Sequence, residues 1–177
     1  GCMSALNVNA IDKESGSTLT LGGSGTTVQP HASATVSGFG KILQVVSATL
    51  DTETRTTSTS FVTSGLTATL TPASTSNKVL IFCNGGSMLT GSWSESTTTA
   101  LYSSIGGATA AEIDVFEKMV FGTSATGEGG AHSISYLYSP NTTSSVAITP
   151  YFKGGGANQY FTEAGFTVSL ILMEIEG

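Results

Sequence analysis

Gly38-Phe39-Gly40-Lys41-Ile42-Leu43-Gln44-Val45-Val46 leads through a Thr/Ser tract to Gly65-Leu66-Thr67-Ala68-Thr69-Leu70-Thr71-Pro72. Ser76-Asn77-Lys78-Val79-Leu80-Ile81 follows. Aliphatic and β-branched residues fill the first and third segments, and the second alternates Leu, Ala, Leu with Thr, so all three read as strands. Thr71-Pro72 and the Ser-rich stretch after it supply the reversal, because proline fixes φ and short polar side chains favour turns. Gly40 releases the chain into a first long core strand, Lys41 to Leu50, and the turn returns it as Lys78 to Asn84.

The composition extends this reading to the whole chain. At 177 residues, 39% of them hydrophobic, the chain is long enough to bury a core. Only 10% are charged, against about 25% in ordinary domains. Ser and Thr fill about 30%, so hydroxyls replace charges on the solvent side. Good surface helix formers are scarce, which predicts a nearly all-β protein. Net charge is −6, and the six basic residues Lys13, Lys41, Arg55, Lys78, Lys118 and Lys153 form no cluster. Binding to a nucleic-acid backbone is disfavoured. Apolar runs such as Leu170-Ile171-Leu172-Met173 are far short of the roughly 20 residues of a membrane-spanning helix, so no membrane insertion is expected.

Further strands are expected at Leu66 to Leu70, Ala100 to Ile105, Ala131 to Tyr138, Val146 to Phe152 and Thr167 to Ile175, separated by Gly- and Pro-containing turns at sandwich or barrel spacing. Asn84-Gly85 is read as one such turn. Thr109 to Lys118 is ambiguous between a helical turn and a strand. The fold class is an antiparallel β-sandwich, jelly-roll-like, over 38–177, with an extended N-terminal β arm over 1–37. Leu6, Val8, Leu19 and Leu21 alternate in short segments of that arm that need a neighbour's surface. The last strand becomes apolar on both faces, which predicts burial of both and points to Leu170 and Leu172 as oligomer contacts.

Candidates for chemistry are few. His31 and His132 are far apart and lack nearby partners in metal-ligand spacing, so no metal site and no cofactor is predicted. Three copies of His31 on a threefold axis are the exception. Asp51 and Glu53 share a strand face but lack the walls of a glycosidase or Ca²⁺ site. No serine sits in a nucleophile elbow, and no glycine-rich turn continues into a phosphate cradle. Cys83 reads as a small buried hydrophobe. Trp93, Tyr102, Tyr136, Tyr138, Tyr151 and Tyr160 offer rings for stacking on sugars, with Trp93 and Tyr102 the leading glycan-binding candidates. Alternatively, Trp93 caps one end of the core.

The opening segments, together with the closing Met173-Glu174-Ile175, resemble a signature of bacteriophage structural proteins found in tail fibres and other virion parts, notably of marine phages. In that resemblance a Gly-Lys-(Ile/Val)-Leu-Gln-Val-Val strand leads to a strand ending in Thr-Pro and on to Lys-Val-Leu-Ile. It covers residues 38 to 82 well, with echoes at the N-terminus. Met3 resembles the natural start, and Gly1-Cys2 then reads as a scar ahead of it.

The resemblance brings no catalytic residues. It implies a non-enzymatic virion protein: a small accessory fibre, spike or capsid decoration protein on the particle surface. Such a protein is expected to be a homo-oligomer, a trimer in the first instance, contacting other virion proteins through the arm and a host-surface glycan through its loops. The alternative is a carbohydrate-binding module or adhesin.

Overall fold

A computed structural model of the chain describes residues 41–90, 96–120 and 129–177, all within one compact unit. The expectations for the arm, for Leu6, Val8, Leu19, Leu21 and His31, and for Trp93 lie outside the described residues. Eleven strands are described: β1 Ile42–Leu50, β2 Thr54–Thr56, β3 Val62–Thr63, β4 Ala68–Leu70, β5 Lys78–Thr90, β6 Ser96–Ile105, β7 Ala111–Val120, β8 Gly129–Tyr138, β9 Val146–Lys153, β10 Gln159–Thr162 and β11 Val168–Ile175. Every pairing is antiparallel. No helix occurs among the described residues.

The strands form two sheets. The first runs β1-β11-β5-β10-β2, with β8 on the other edge of β5, and the second runs β3-β9-β6-β7, with β4 also on β9. Alternation decides what lies between them. Val79, Ile81 and Cys83 of β5, Ile134 of β8 and Val168, Leu170 and Leu172 of β11 share one buried cluster with Leu101 of β6, Val146, Ile148 and Phe152 of β9, and Ala68 and Leu70 of β4. Two inner faces thus interleave to make one core, as in a β-sandwich.

Several elements go beyond the sequence expectation or depart from it. Asn84-Gly85 does not end a strand: β5 continues to Thr90, with its register shifting between Gly85 and Met88. Gly85 has φ +92°, and a Cβ there would lie 2.6 Å from the Thr167 carbonyl oxygen, so only glycine fits. The kink lets one strand pair with β11 before it and with β10 after it, and the first sheet curls towards a half-barrel. The ambiguous segment is strand, within β7; Ile113 and Phe116 pack on the core, and that burial overrides the helix propensity of Ala and Glu. The short β2, β3 and β10 were not anticipated.

The opening segments converge on one carboxylate. Glu174, near the end of β11, is 1% exposed and points inward. Its oxygens accept hydrogen bonds from Asn77 Nδ2 at 2.6 Å, Gln44 Nε2 at 2.5 Å and the Ala73 amide at 2.7 Å. Gln44 Nε2 also donates to the Thr71 carbonyl at 2.8 Å, and Asn77 Oδ1 accepts the Gly177 amide at 3.2 Å. The Thr71–Asn77 loop, which crosses from the second sheet to the first, is therefore fastened to β1 and β11 at one point. Burial alone pushes the Glu174 carboxyl up, but the bonds from Asn77, Gln44 and Ala73 outweigh it and hold the group below the usual glutamate range.

Because the folded value lies below the unfolded one, this stabilisation is complete above about pH 4.5, the unperturbed value, and is lost as pH falls through the lowered folded value. Glu174→Ala leaves the buried Asn77 amide and the more exposed Gln44 and Ala73 donors without this acceptor and is expected to cost about 2–3 kcal/mol at neutral pH. Glu174→Gln, which keeps an acceptor, is expected to cost about 1–2 kcal/mol. Urea unfolding of the three proteins from pH 7 down to pH 3 checks both values. The Gln variant should show the shallower loss of stability in acid.

Candidate functional surfaces

The outward face of the first sheet carries an apolar zone that its register explains. Val45 lies opposite Met173, Met173 opposite Leu80, and Leu80 opposite Leu137, which makes one row across β1, β11, β5 and β8. The next row is Ser47, Ile171, Phe82 and Ser135, and on the other side Ile42 lies opposite Ile175. Val45 is 56% exposed, Ile42 53% and Leu137 48%. Lys78 is the only charged residue these four strands turn outward in the paired region. With strands about 4.8 Å apart and same-face residues about 6.8 Å apart, the zone spans on the order of 350 Å². A patch of that size falls within the range of the largest apolar patch on a typical monomer, about 300–600 Å², which is often functional.

The structure moves the expected contact residues of β11 by one position. Leu170 and Leu172 are wholly enclosed in the core, whereas Ile171, Met173 and Ile175 look outward. The doubly apolar pattern does not say which residue belongs to which face, and the outward residues Ile171, Met173 and Ile175 are half-buried. The one polar residue near the end, Glu174, points inward and would mislead any assignment by polarity. Val45, Leu80, Phe82 and Leu137 were missed as members of the same face. A signal was present: Val79-Leu80-Ile81-Phe82-Cys83 is also apolar on both faces, and it pairs with β11.

Tyr102 lies on the outward face of the second sheet. Its ring stacks on Tyr151 with centroids 4.0 Å apart, and Phe61 approaches edge-on at 6.0 Å. Lys153 Nζ sits 4.3 Å over the Phe61 ring. The Tyr102 hydroxyl donates to Glu112 Oε2 at 3.0 Å. Burial and this bond push its phenol up to about 12. One face of the ring is thus taken by Tyr151, which leaves less of it for a sugar than an isolated tyrosine offers.

The only histidine–carboxylate pair among the described residues joins the two sheets. His132 of β8 meets Glu117 Oε2 of β7 through Nδ1 at 2.8 Å and donates from Nε2 to the Phe161 carbonyl at 2.9 Å. Glu117 Oε1 accepts the Ser133 amide at 2.6 Å. This carboxylate therefore does for the open edge of β8 what a neighbouring strand does elsewhere. The pair has the shape of a catalytic dyad, but Nε2 is already bonded and the imidazole side chain is fully enclosed, so it cannot take a proton from a substrate. Cys83 is buried, and desolvation, reinforced by Glu117, pushes its thiol up to about 12, which keeps it unreactive. Asp51 lies beyond the end of β1, and Glu53 pairs with Arg55 at 3.5 Å on the exposed surface. No group of three metal-ligating side chains occurs among the described residues, and no helix among them is long and apolar enough to cross a membrane.

No protein-family model and no curated protein matches this chain. The functional reading therefore rests on its surfaces and on the residues quoted at the outset. The Glu117 bridge makes a separate prediction. Glu117→Ala should lower stability by about 2–3 kcal/mol, since it strands a buried imidazole and a strand-edge amide. In hydrogen exchange followed by NMR, the Ser133 amide should lose its protection in that variant while Cys83 and Leu172 keep theirs.

Proposed function

We propose that the chain is a non-enzymatic structural protein of a bacteriophage particle, a small accessory fibre, spike or capsid decoration protein on the virion surface. It works as a homo-oligomer. The observation that carries this reading is the outward apolar row Val45, Met173, Leu80 and Leu137, with Phe82 and Ile171 beside it. A chain of net charge −6 repels its own copies over most of its surface. This face bears no carboxylate, so copies approach there without like-charge cost and gain by covering apolar area. The patch is about half of the roughly 800 Å² that one partner gives to a standard interface. The surrounding Ser47, Thr49, Asn84, Ser133 and Ser135 suit the polar rim.

The residues that resemble the phage signature support the assignment in a second way. Gln44, Thr71, Asn77 and Glu174 are tied together by side chains, so the signature describes how a sandwich is locked and carries no reactive group. In this reading a jelly-roll-like sandwich is displayed behind an extended N-terminal β arm that engages other virion proteins, and the assembly is a trimer.

Light scattering coupled to size exclusion tests the proposal. The wild-type chain should elute as an oligomer at micromolar concentration. Val45→Lys combined with Leu80→Lys should give a monomer with an unchanged circular dichroism spectrum, because both side chains point away from the core. A wild-type chain that stays monomeric removes the proposal's main support.

A further inference from the structure

A cleft of about 600 Å³ opens where β7 and β8 diverge beyond the Glu117 bridge. One wall is the hairpin of β6 and β7, from Ser103 and Ile105 through Thr109 to Ile113, and the other is the end of β8, Tyr136 to Ser139. Its floor is amphipathic. Ile105, Ile113, Tyr136 and Tyr138 pack down onto the core, and the Ser103 and Tyr138 hydroxyls meet at 3.0 Å. Glu112 is the only charged residue in the lining; one of its oxygens accepts from Tyr102.

The hairpin wall is built in advance. Its turn has φ +60° at Gly106 and +80° at Gly107. The Gly106 amide donates to the Ser145 carbonyl at 2.8 Å, the Ala108 amide donates to the Ile105 carbonyl at 3.1 Å, and Ser104 Oγ donates to the Ala108 carbonyl. A ligand would not have to order this loop on binding, which removes a large part of the usual entropic cost.

From this lining we infer that the cleft is a binding site for a neutral saccharide. A sugar has an apolar face of C–H groups and a periphery of hydroxyls, and the cleft offers the complement of both. Tyrosine rings and isoleucines meet the first. The Ser103–Tyr138 hydroxyl pair, which can both donate and accept, meets the second. With no cation among its lining residues, the cleft offers an acidic sugar no partner for its charge. An extended peptide is the competing occupant, because among the described residues β7 pairs only with β6 and β8 only with β5. The β6–β7 register shifts twice, between Thr99 and Ala100 and between Leu101 and Tyr102. That breaks the even spacing of edge groups that an added strand needs. The site differs from the predicted pair Trp93 and Tyr102, and it does not depend on the assembly proposed above.

The test uses the full chain, isotopically labelled, titrated with maltotriose, cellotriose, mannotriose and chitotriose, with an acidic trisaccharide of galacturonate, and with a pool of neutral hexapeptides. At least one neutral trisaccharide should shift the amide signals of residues 103–113 and 136–139. Ser103→Ala, which removes one hydroxyl of the pair, should weaken that binding roughly tenfold. Tyr138→Phe, which removes the other and keeps the ring, should weaken it by a similar factor. Repeating the titration on the Val45→Lys, Leu80→Lys chain, whose changes lie outside the cleft lining, separates the two readings, since saccharide binding should survive the loss of assembly. The inference is overturned if no neutral trisaccharide shifts these signals at about 10 mM or if the shifts fall outside the cleft. It is equally overturned if both substitutions leave binding unchanged or if only a peptide occupies the site.

Discussion

One buried carboxylate sets the conditions under which the rest of this sandwich can exist. Glu174 receives three hydrogen bonds from β1, from the loop between the sheets and from the residue just before β5, and among the described residues no cation pairs with it. A carboxylate so enclosed is tolerable only when its oxygens are satisfied by donors already held in place. Gln44, Ala73 and Asn77 can be held there only if β1, the crossing loop and β5 take their observed positions. A fourth contact, from the Glu176 amide to the Lys41 carbonyl at 2.9 Å, closes the same corner from the backbone side. Local satisfaction and global arrangement are thus one requirement.

The register that follows from this corner determines both faces of the sheet. With Gln44 opposite Glu174 and Glu174 opposite Val79, Leu172 and Leu170 fall inward and Met173 and Ile171 outward. A slip of one residue would exchange these sets and bring the carboxylate to the surface. The apolar outward row is therefore no accident of a loosely paired strand. β1, β11 and β5 present it in line because a polar contact on the opposite face fixes their register, and β8 follows through its pairing with β5. At the far edge, Glu117 serves β8 in a comparable way, so a chain with few charges places two of its carboxylates where strand pairing alone does not hold the fold.

Much of the fold is legible in the sequence, for reasons that particular residues make plain. β1, β9 and β11 are long, β-branched and bounded by turn residues, and the structure places them where alternation does. β2 is Thr-Arg-Thr and β3 only Val-Thr, too short and too polar for any period to show. β10 was hidden because its inward residues include Gln159 and Thr162, both fully buried. Gln159 accepts a bond from Thr97 at 2.8 Å, and Thr162 donates to the Phe166 carbonyl at 2.7 Å. Polar residues that look outward in a sequence can look inward when their partners come from distant strands. The candidate surfaces were legible to a lesser degree. Two apolar faces on β11 could be read, but the assignment of side chains to each required the register. The cleft needed the divergence of β7 and β8, which no local pattern announces.

The most direct measurement is a carbon-detected NMR titration of the glutamate side-chain carboxyls in the intact chain. Glu174 is predicted to stay ionised below the usual glutamate range and to take up its proton only at lower pH, together with loss of the native spectrum. A Glu174 signal that titrates within the usual range, with the fold intact, would contradict the claim that this carboxylate locks the sandwich.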